Sequence, residues 1–552
     1  MEQSLPLQTH LNLESSLWYR FRKSHRHLRI GVLSDAGGAE PWLVSAIELL
    51  ALQPELEILF LFQLPVRRSS QESSPPWLFR KLNTWSRSGA NDWFGLSNSF
   101  PSSAQRHTLS GCEGSELSPE DQALIRSRQL DVLLCAASSL TGDCANLARL
   151  GVWSFLLGEP EFAGYEPPYW REVYEGRSVS RLFLLAHNER FERGRVVESL
   201  ATATIPSLHF TRNQAAPLGG AATVVNRNLL KAAERETASP GGDKIDLGTA
   251  SPRWPSNVET LAFVFRKLGR SALLRAQGRG KTMRWFTGIR PGSGAVDFQN
   301  PSRGKPFFEI NAPPDHSYAD PFIVERDSRH WLFVEDIVES TGRGCLACLE
   351  VNDKGAVGEP VVILDKPYHL SYPHVFSHNG EFFMIPESCE NATVQLYRAT
   401  RFPFEWELES LLMEDAELVD TTAFHYDGKW YFFTSTVGPP EEAYLFTADR
   451  IDGPWQYHPA NPVCTDARNL RGAGGIFMQN NALIRPAQDC SIGYGYAVAF
   501  NEIRRLSPSE YEEREVGRLL PTWSPGLGGT HTFNFDSKYE TVDGRKLVRR
   551  KS

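Results

Sequence analysis

Five polar dipeptides, each set between runs of apolar and aromatic residues, recur through the second half of the chain. They are Asp327-Ser328, Asn379-Gly380, Asp427-Gly428, Asn480-Asn481 and Asp543-Gly544. Such pairs accept the positive φ angles of a tight turn at low cost, and the flanking runs are rich in Phe, Tyr, Trp, Ile and Val. Each unit is therefore predicted to be a β-hairpin.

The hairpins return at nearly constant spacing. From Ser328 through Gly380, Gly428, Asn481 and Gly544 the steps are 52, 48, 53 and 63 residues. A period of about 50 residues, with further strands between the hairpins, is typical of a β-propeller, and five copies predict five blades. Because the fifth copy is short of outer strands, we expect residues 282–312 to supply them and to close the ring.

The first half of the chain has a different pattern, in which apolar runs alternate with helical segments. Leu28–Ser34, Leu56–Phe62 and Leu130–Cys135 are continuous apolar runs, as expected of buried parallel strands. Ser118 and Pro119 mark the start of one intervening helix. This alternation predicts an α/β sandwich.

A pair of glycines, Gly37-Gly38, follows the first predicted strand. Glycines at that point can let a phosphate approach a helix N-terminus, but the surrounding AGGAE does not supply the GxGxxG of a dinucleotide site. A plain tight turn is the favoured interpretation, and a ligand loop is the alternative.

The segment Gly151–Val197 carries the most specific pattern of this half. It reads as a strand, a loop rich in glycine and proline, a short helix at Tyr169–Glu175, and two further strands around a polar turn. This order resembles the N-terminal domain of formyltransferases. The resemblance implies a Rossmann-like formyltransferase fold at 28–200. Together with the hairpin repeat, this predicts a multidomain chain, α/β and then all-β, in which a helical bridge and flexible linker at 201–281 lead to a five-bladed β-propeller at 282–550.

The catalytic pattern of that family is not kept. Where the family has an Asn and a His in the loop and an Asp downstream, this sequence has Ser154, Leu156 and Glu192. Leucine can neither exchange a proton nor donate a hydrogen bond, so formyl transfer by the family's mechanism is not expected. His187 could in principle take the role of the family's His, but it lies in the next strand and is not the favoured interpretation. The resemblance therefore implies a degenerate formyltransferase site in a scaffold or binding domain.

Composition narrows the function classes. The net charge of −8 argues against a nucleic-acid partner held through its phosphates. No apolar run approaches the ~20 residues of a membrane helix, and the N-terminus lacks the apolar core of a secretory signal. The eight cysteines are scattered, and the single Cys345-x-x-Cys348 pair is weak evidence for zinc, so neither metal nor cofactor is expected. A reducing cytoplasm is the default location.

In a propeller the first strand of each blade lines the central channel, so side chains at its start converge on the axis. Acids, cations and histidines at repeat-equivalent positions predict a ligand site at one mouth of this channel. Taken singly, each also has a structural interpretation as a strand-capping carboxylate or a core histidine. The first strands supply Asp320, His374, Asp420, Arg471 and His531, and the second strands add Glu335, Glu387, Arg485, Gln488 and Asp489.

Asp320 in Ala-Asp-Pro and Asp420 resemble the carboxylates of five-bladed propellers of glycoside hydrolase family 43. The resemblance implies that Asp320 is a general base and that Asp420 tunes the acid, whereas Glu387, from another blade and in a different geometry, is a candidate substitute for the acid itself. The family's own acid lies at the start of the fourth blade. This sequence reads Arg471-Gly-Ala-Gly-Gly there and offers no acid.

The second half as a whole is more similar to the propeller domain at the N-terminus of plant glucosamine inositolphosphorylceramide transferases. The motifs that carry this resemblance are YADPF (318–322), YPH (372–374), MIPE (384–387), RPAQD (485–489) and GTHTFN (529–534). In that family a separate domain performs glycosyl transfer. The resemblance therefore implies a glycan-related setting rather than an activity.

We therefore expect a protein of glycan metabolism whose propeller channel binds a carbohydrate or nucleotide-sugar, with cleavage or transfer left open. A glycosyltransferase is a candidate partner, and neither nucleic acid nor a membrane span is expected. Two alternatives remain. One is a non-catalytic module that recognises a glycan or nucleotide-sugar beside another enzyme. The other is an active amino-sugar N-formyltransferase, against which Leu156 counts.

Overall fold

The chain divides into two compact units, Met1–Ser271 and Ala272–Ser552. The Gly37-Gly38 pair lies outside the residues that the structure describes. The computed structural model describes residues 17–20, 26–35, 43, 46–47, 49–50, 53, 56–65, 74–88, 104–110, 112–113, 116–137, 140–235, 242–247, 253–352, 357–438 and 441–549.

A mostly parallel sheet organises the described part of the first unit, and a two-stranded hairpin, Cys112–Glu113 with Glu116–Leu117, accompanies it. The eight strands of the large sheet are, in spatial order, Lys244–Asp246, Arg193–Ala203, Val179–His187, Val152–Leu157, Val132–Cys135, Leu28–Asp35, Leu56–Leu64 and Gln105–Thr108. The last five run parallel to one another, and the first three pair antiparallel. The three buried strands and the α/β class predicted from the sequence are confirmed.

Helices alternate with the strands of this sheet and also follow its last strand along the chain. Ser118 Oγ caps one of them by accepting a hydrogen bond from Asp121 N at 3.1 Å, as predicted. The helix Ala215–Arg235, in the stretch predicted as a bridge, packs its small side chains into the same core as Leu28 and Ile30 of the sheet. The described α-helices are Leu17–Arg20, Trp77–Ser88, Pro119–Ser127, Trp170–Glu175, Ala215–Arg235 and Asn257–Gly278, and the 3₁₀ turns are Pro160–Phe162, Phe210–Gln214 and Cys389–Asn391.

The second unit is a five-bladed β-propeller, as the repeat predicted. In four blades the chain runs from the inner strand outward through four antiparallel strands. Blade 1 is His316–Arg326, Arg329–Val338, Arg343–Val351 and Val361–Leu364; blade 2 is Ser371–His378, Glu381–Glu387, Val394–Arg401 and Glu405–Met413. Blade 3 is Leu418–Tyr426, Lys429–Thr436, Ala443–Ala448 and Gln456–Tyr457; blade 4 is Phe477–Gln479, Ala482–Asp489, Ala497–Leu506 and Tyr511–Leu519.

The first four predicted turns are confirmed, because each has residues in the left-handed region between the first two strands of its blade. Asn480 and Asn481, for example, have φ of 50° and 63°. The fifth prediction is wrong. Asp543 and Gly544 lie inside the strand Tyr539–Arg549, where they pair with Thr287 and Phe286.

Blade 5 combines strands from both ends of the unit. Leu527–Gly529 and Phe533–Phe535 form its inner edge beside Tyr539–Arg549, and Lys281–Pro291 and Phe308–Ile310 complete it outside. Lys281–Pro291 pairs with the Tyr539–Arg549 strand along its whole length. The predicted closure of the ring is therefore confirmed.

The inner strands of blades 1, 2 and 3 share one irregularity. Their pairing register shifts at Asp320, Tyr372 and Asp420, which have φ of 48°, 45° and 52°. Non-glycine residues rarely adopt this left-handed conformation, and a bulge re-aims the side chain that it carries. The residue of blade 2 that matches Asp320 is thus Tyr372, and the predicted His374 lies two positions further along the strand.

Candidate functional site

Asp320 lies at the bulge of the inner strand of blade 1, and it is 4% exposed. Its carboxylate accepts hydrogen bonds from Thr532 Oγ1 at 2.6 Å and Tyr372 N at 3.2 Å, while its own N–H donates to Asp543 Oδ2 at 3.3 Å. It thereby joins blades 5, 1 and 2 at the end of the channel that we call the mouth. Burial raises the pKa of Asp320 to about 6, against the opposing positive charge of His531.

His531 lies between two of these carboxylates. Its Nδ1 is 3.7 Å from Asp320 Oδ1 and is ion-paired with Asp543 Oδ2. Burial lowers the pKa of an imidazole, but Asp543 and Asp320 outweigh it and raise the pKa of His531 to about 9. His531 is therefore a buried cation at neutral pH, and its ring stacks 4.0 Å from that of Trp285.

The same three residues are the described group whose ligand atoms come closest to a metal-binding arrangement. One donor atom from each of Asp320, His531 and Asp543 lies within 4.8 Å of the others. The imidazole proton already fills the space between the carboxylates as an ion pair. A cation bound there would have to displace that proton, because a metal ligand must be neutral imidazole.

Asp420 is the corresponding carboxylate of blade 3. Its Oδ2 accepts hydrogen bonds from Arg471 Nε at 2.7 Å and from Gln488 Nε2 at 3.0 Å, and Gln488 Nε2 also donates to Gly472 O at 2.7 Å. Burial raises the pKa of Asp420, although the charge of Arg471 opposes this. Three of the predicted site residues, Asp420, Arg471 and Gln488, therefore form one network.

Two acids of the second strands lie beside this network. Glu335 Oε1 is 3.1 Å from His369 Nε2. Burial lowers the pKa of this imidazole, but the hydrogen bond to Glu335 outweighs it and raises the pKa of His369 to about 9. Glu387 accepts hydrogen bonds from Ser371 Oγ at 2.7 Å and Cys389 N at 2.6 Å, and burial raises its pKa.

Two aromatic rings lie on the solvent side of the buried charges. Tyr494 is 46% exposed, and the guanidinium of Arg471 lies 5.0 Å from its ring centroid. The Tyr494 ring meets those of His531 and Trp285 edge-on, at centroid distances of 5.4 and 6.3 Å. Partly exposed rings over a few convergent polar groups are the usual composition of a small-ligand site.

Two predicted site residues of blade 4 lie outside this network. Arg485 forms two hydrogen bonds with Glu513, at 2.6 and 2.8 Å, and Asp489 is ion-paired with Arg518. Side chains alternate between the faces of a strand, so Arg485 and Asp489 share one face while Gln488 is on the other. Arg485 and Asp489 hold the outer strand of their blade.

His374 also lies outside the mouth. It is 3% exposed, and its Nε2 donates a hydrogen bond to Ala423 O at 2.8 Å. Burial lowers the pKa of His374 to about 4, so the ring is neutral. It lines a separate cavity in the further half of the channel.

The positions that the sequence analysis compared with a formyltransferase site, Ser154, Leu156 and Glu192, make structural contacts in the α/β unit. Ser154 Oγ lies 2.8 Å from His187 Nε2, and His187 Nδ1 lies 3.2 Å from Arg193 O. Burial lowers the pKa of His187 to about 4. Leu156 packs in an apolar cluster, and Glu192 Oε1 accepts a backbone N–H at 3.1 Å.

Residues of the mouth that escaped the sequence analysis include Trp285, His369, Tyr494, Asp543 and Glu441, which lies close enough to Arg471 and Asp420 for their charges to act on it. Asp543 carried a signal, since the last repeat step of 63 residues is longer than the others and so argues against a turn at Asp543-Gly544. Tyr494 precedes Gly495, which has φ of 61° and on which a Cβ would lie 2.7 Å from His531 Cδ2. Only the fold shows that this loop approaches His531.

Comparison with known proteins supports the assignment of the second unit. Residues 293–535 match the family model described as "Glucosamine inositolphosphorylceramide transferase 1, N-terminal". This propeller is similar to the amino-terminal domain of those transferases. The predicted resemblance, placed at residues 282–550, is confirmed over the matched range.

Proteins named "Glucosamine inositolphosphorylceramide transferase 1" from Oryza sativa subsp. japonica and Arabidopsis thaliana are 36% and 33% identical over 243 and 258 residues. These alignments cover 43% and 45% of this chain, and 32% and 34% of the plant proteins. The chain thus spans about a third of the length of the curated relatives that it matches.

Similar solved structures include an exo-beta-1,3-galactanase from Clostridium thermocellum, with a TM-score of 0.31 and 14% identity over 36% of this chain and 50% of that one. An alpha-L-arabinanase from Cellvibrio cellulosa has a TM-score of 0.28 and 10% identity over 36% of this chain and 77% of that one. Superposition at this level says nothing about substrate or reaction.

Within the part of the chain that the structure describes, none of the helices has the length and apolarity required to cross a bilayer.

Proposed function

We propose that the mouth of the propeller channel binds a sugar. The observation that carries this proposal is the half-exposed ring of Tyr494, stacked on Arg471 directly over the buried carboxylate of Asp420. A sugar ring has C–H faces that pack on an aromatic ring and hydroxyl groups that both donate and accept. A guanidinium donates hydrogen bonds to the hydroxyl oxygens of a sugar, and a carboxylate accepts hydrogen bonds from its O–H groups.

The electrostatics of the mouth favour an amino sugar over a neutral one. Glu387, Asp420 and Glu441 are shielded from the water that stabilises a charged carboxylate. Burial therefore raises the pKa values of all three. An ammonium group bound among them would stabilise their ionised forms. The names of the plant relatives contain glucosamine, which has such a group, and we take it as the first ligand to test.

The test is isothermal titration calorimetry of the full chain with glucosamine, and with glucose as the neutral counterpart. Glucosamine is expected to bind more tightly than glucose. Tyr494→Ala is expected to weaken binding by roughly 2- to 10-fold, the value of one aromatic contact. Ile492→Ala is the matched control, because Ile492 is 56% exposed in the same loop. Equal affinity of both variants for glucosamine, or no binding by the unaltered protein, would contradict the proposal.

A second candidate, sugar cleavage or transfer at the same mouth, is favoured by one observation. The pKa of Asp320, raised by burial to about 6, suits a group that exchanges a proton near neutral pH. Arg471 counts against hydrolysis of the family 43 type, because it places a cation at the position of that family's proton donor. Release of free sugar from an aryl glycoside, lost in Asp320→Asn, would support this candidate over pure binding.

For the first unit we propose a formyltransferase-like fold that serves as a scaffold. Leu156, buried in an apolar cluster, and the neutral His187, which bonds Ser154, support this view. In this proposal the chain works beside a glycosyltransferase on a glycan or nucleotide-sugar. The partner and a cytoplasmic location remain predictions from the sequence.

A further inference from the structure

The channel has a cavity at the end opposite the mouth, which we call the distal cavity. It has a volume of about 520 Å³, is partly open to solvent, and is lined mainly by residues of the inner strands of all five blades. These residues follow the bulges of Asp320, Tyr372 and Asp420 along their strands, whereas the mouth network is built at and before the bulges. The distal cavity is therefore distinct from the proposed sugar site.

Tyr372 separates the two sites. Its side chain is fully buried, and its Oη is 2.7 Å from Thr422 Oγ1 and accepts a hydrogen bond from Gly474 N at 2.8 Å. Its backbone N–H bonds Asp320 of the mouth, while its ring meets Phe322 of the distal cavity edge-on at 5.0 Å. Tyr372 therefore contacts both sites, the mouth through its backbone N–H and the distal cavity through its ring.

Aromatic side chains form most of the wall of the distal cavity. Seven rings of Phe and Trp line it, together with three histidines. The rings of Phe376 and Phe424 come from the inner strands of neighbouring blades, and Trp430 meets both His378 and His425 at 4.8 and 5.3 Å. A volume between 300 and 1,000 Å³ with such walls is typical of a small-molecule pocket. The exposed rim residues Ser377, His425 and Met478 open it to solvent.

His374 is the polar group at the inner wall of this cavity. Its Nε2 faces Ala423 O at 2.8 Å, and because a carbonyl can only accept, Nε2 carries the proton. Nδ1 is then a bare acceptor. This atom is buried and has no hydrogen-bond partner among the described residues. A buried acceptor without a partner carries a free-energy cost that a ligand N–H or O–H group would relieve.

We propose that the distal cavity binds a flat aromatic molecule that carries one N–H or O–H donor, with its ring between the aromatic walls and its donor on His374 Nδ1. A volume of about 520 Å³ suits a free small molecule better than a protein segment.

The test uses indole as the probe, with 1-methylindole as its donor-free counterpart, in ligand-observed NMR titrations of the full chain. Indole is expected to bind, and 1-methylindole to bind about 2- to 10-fold more weakly, the range of one hydrogen bond. This comparison needs no variant, so it does not depend on how a substitution folds. Equal binding of the two probes, or no saturable binding of indole, would overturn the proposal.

Two variants locate the probe. Gly475→Leu places a side chain on the cavity wall, and its Cβ makes an ordinary contact there, because the nearest atom is Asn534 Oδ1 at 3.5 Å. It is expected to abolish indole binding and to leave glucosamine binding unchanged. His374→Phe keeps the aromatic wall and is expected to make indole and 1-methylindole bind alike. Indole binding that survives Gly475→Leu would place the site elsewhere and refute the assignment.

Discussion

Replacing His531 by phenylalanine is expected to destabilise the propeller strongly at neutral pH and much less at pH 9.5. Phenylalanine keeps a flat ring against Trp285, which stacks 4.0 Å away, but it removes the positive charge. The carboxylates of Asp320 and Asp543 are then buried with no cation between them. Removing one partner of a buried ion pair costs roughly 3–5 kcal/mol.

The pH dependence follows from the raised pKa of His531. The pKa of about 9 in the folded protein, against 6.5 in the unfolded chain, corresponds to roughly 3 kcal/mol of stabilisation. Because the folded state binds this proton more tightly, the stabilisation is complete below pH 6.5 and is lost as the pH rises through 9. The unaltered protein should therefore approach the variant in stability at alkaline pH.

Urea unfolding at pH 7 and pH 9.5, followed by near-ultraviolet circular dichroism, measures this effect. The transition to compare is the one that His531→Phe shifts, because the two units need not unfold together. His425→Phe is the control, since His425 is exposed on the same propeller. A stability difference between the unaltered protein and His531→Phe that is the same at both pH values would refute the buried-cation account.

Three further predictions concern the other parts of the chain. A chain shortened to begin at residue 310 loses the partner of Tyr539–Arg549 and should aggregate, whereas one that begins at residue 255 should be monomeric in size-exclusion chromatography. Equal behaviour of the two would contradict the closure. Formyl-folate assays with amino sugars should show no turnover, and turnover that Glu192→Ala abolishes would contradict the scaffold proposal. Asp320→Asn should lower stability by about 1–3 kcal/mol in thermal unfolding, because the carboxylate accepts two buried hydrogen bonds, and an unchanged midpoint would show that these bonds contribute little.

The sequence was sufficient to predict elements whose pattern is local. Hairpin turns such as Asn379-Gly380 and Asp427-Gly428 need positive φ, and both glycines adopt it, with φ of 82° and 75°. The closure of blade 5 was also predictable, because a repeat that lacks outer strands must obtain them from elsewhere in the chain. The turn predicted at Asp543-Gly544 is wrong, because the same dipeptide also fits the interior of a strand, where it pairs with Thr287 and Phe286.

The site was predictable only in part, for a physical reason. Asp320, Asp420 and His531 follow the repeat, so their convergence could be inferred from strand order. The left-handed bulge that makes Tyr372 the equivalent of Asp320 leaves no clear mark in the sequence, and His374 was therefore assigned to the wrong end of the channel. Tyr494 reaches the mouth from a loop, and loop positions do not follow from hydrophobic periodicity.

A crystal structure of the protein grown with glucosamine tests the central claim most directly. The account predicts one sugar at the mouth, with a face on Tyr494 and hydroxyl or ammonium groups within hydrogen-bonding distance of Arg471 or Asp420. Sugar density found only in the distal cavity or in the α/β unit, with an empty mouth, would contradict it.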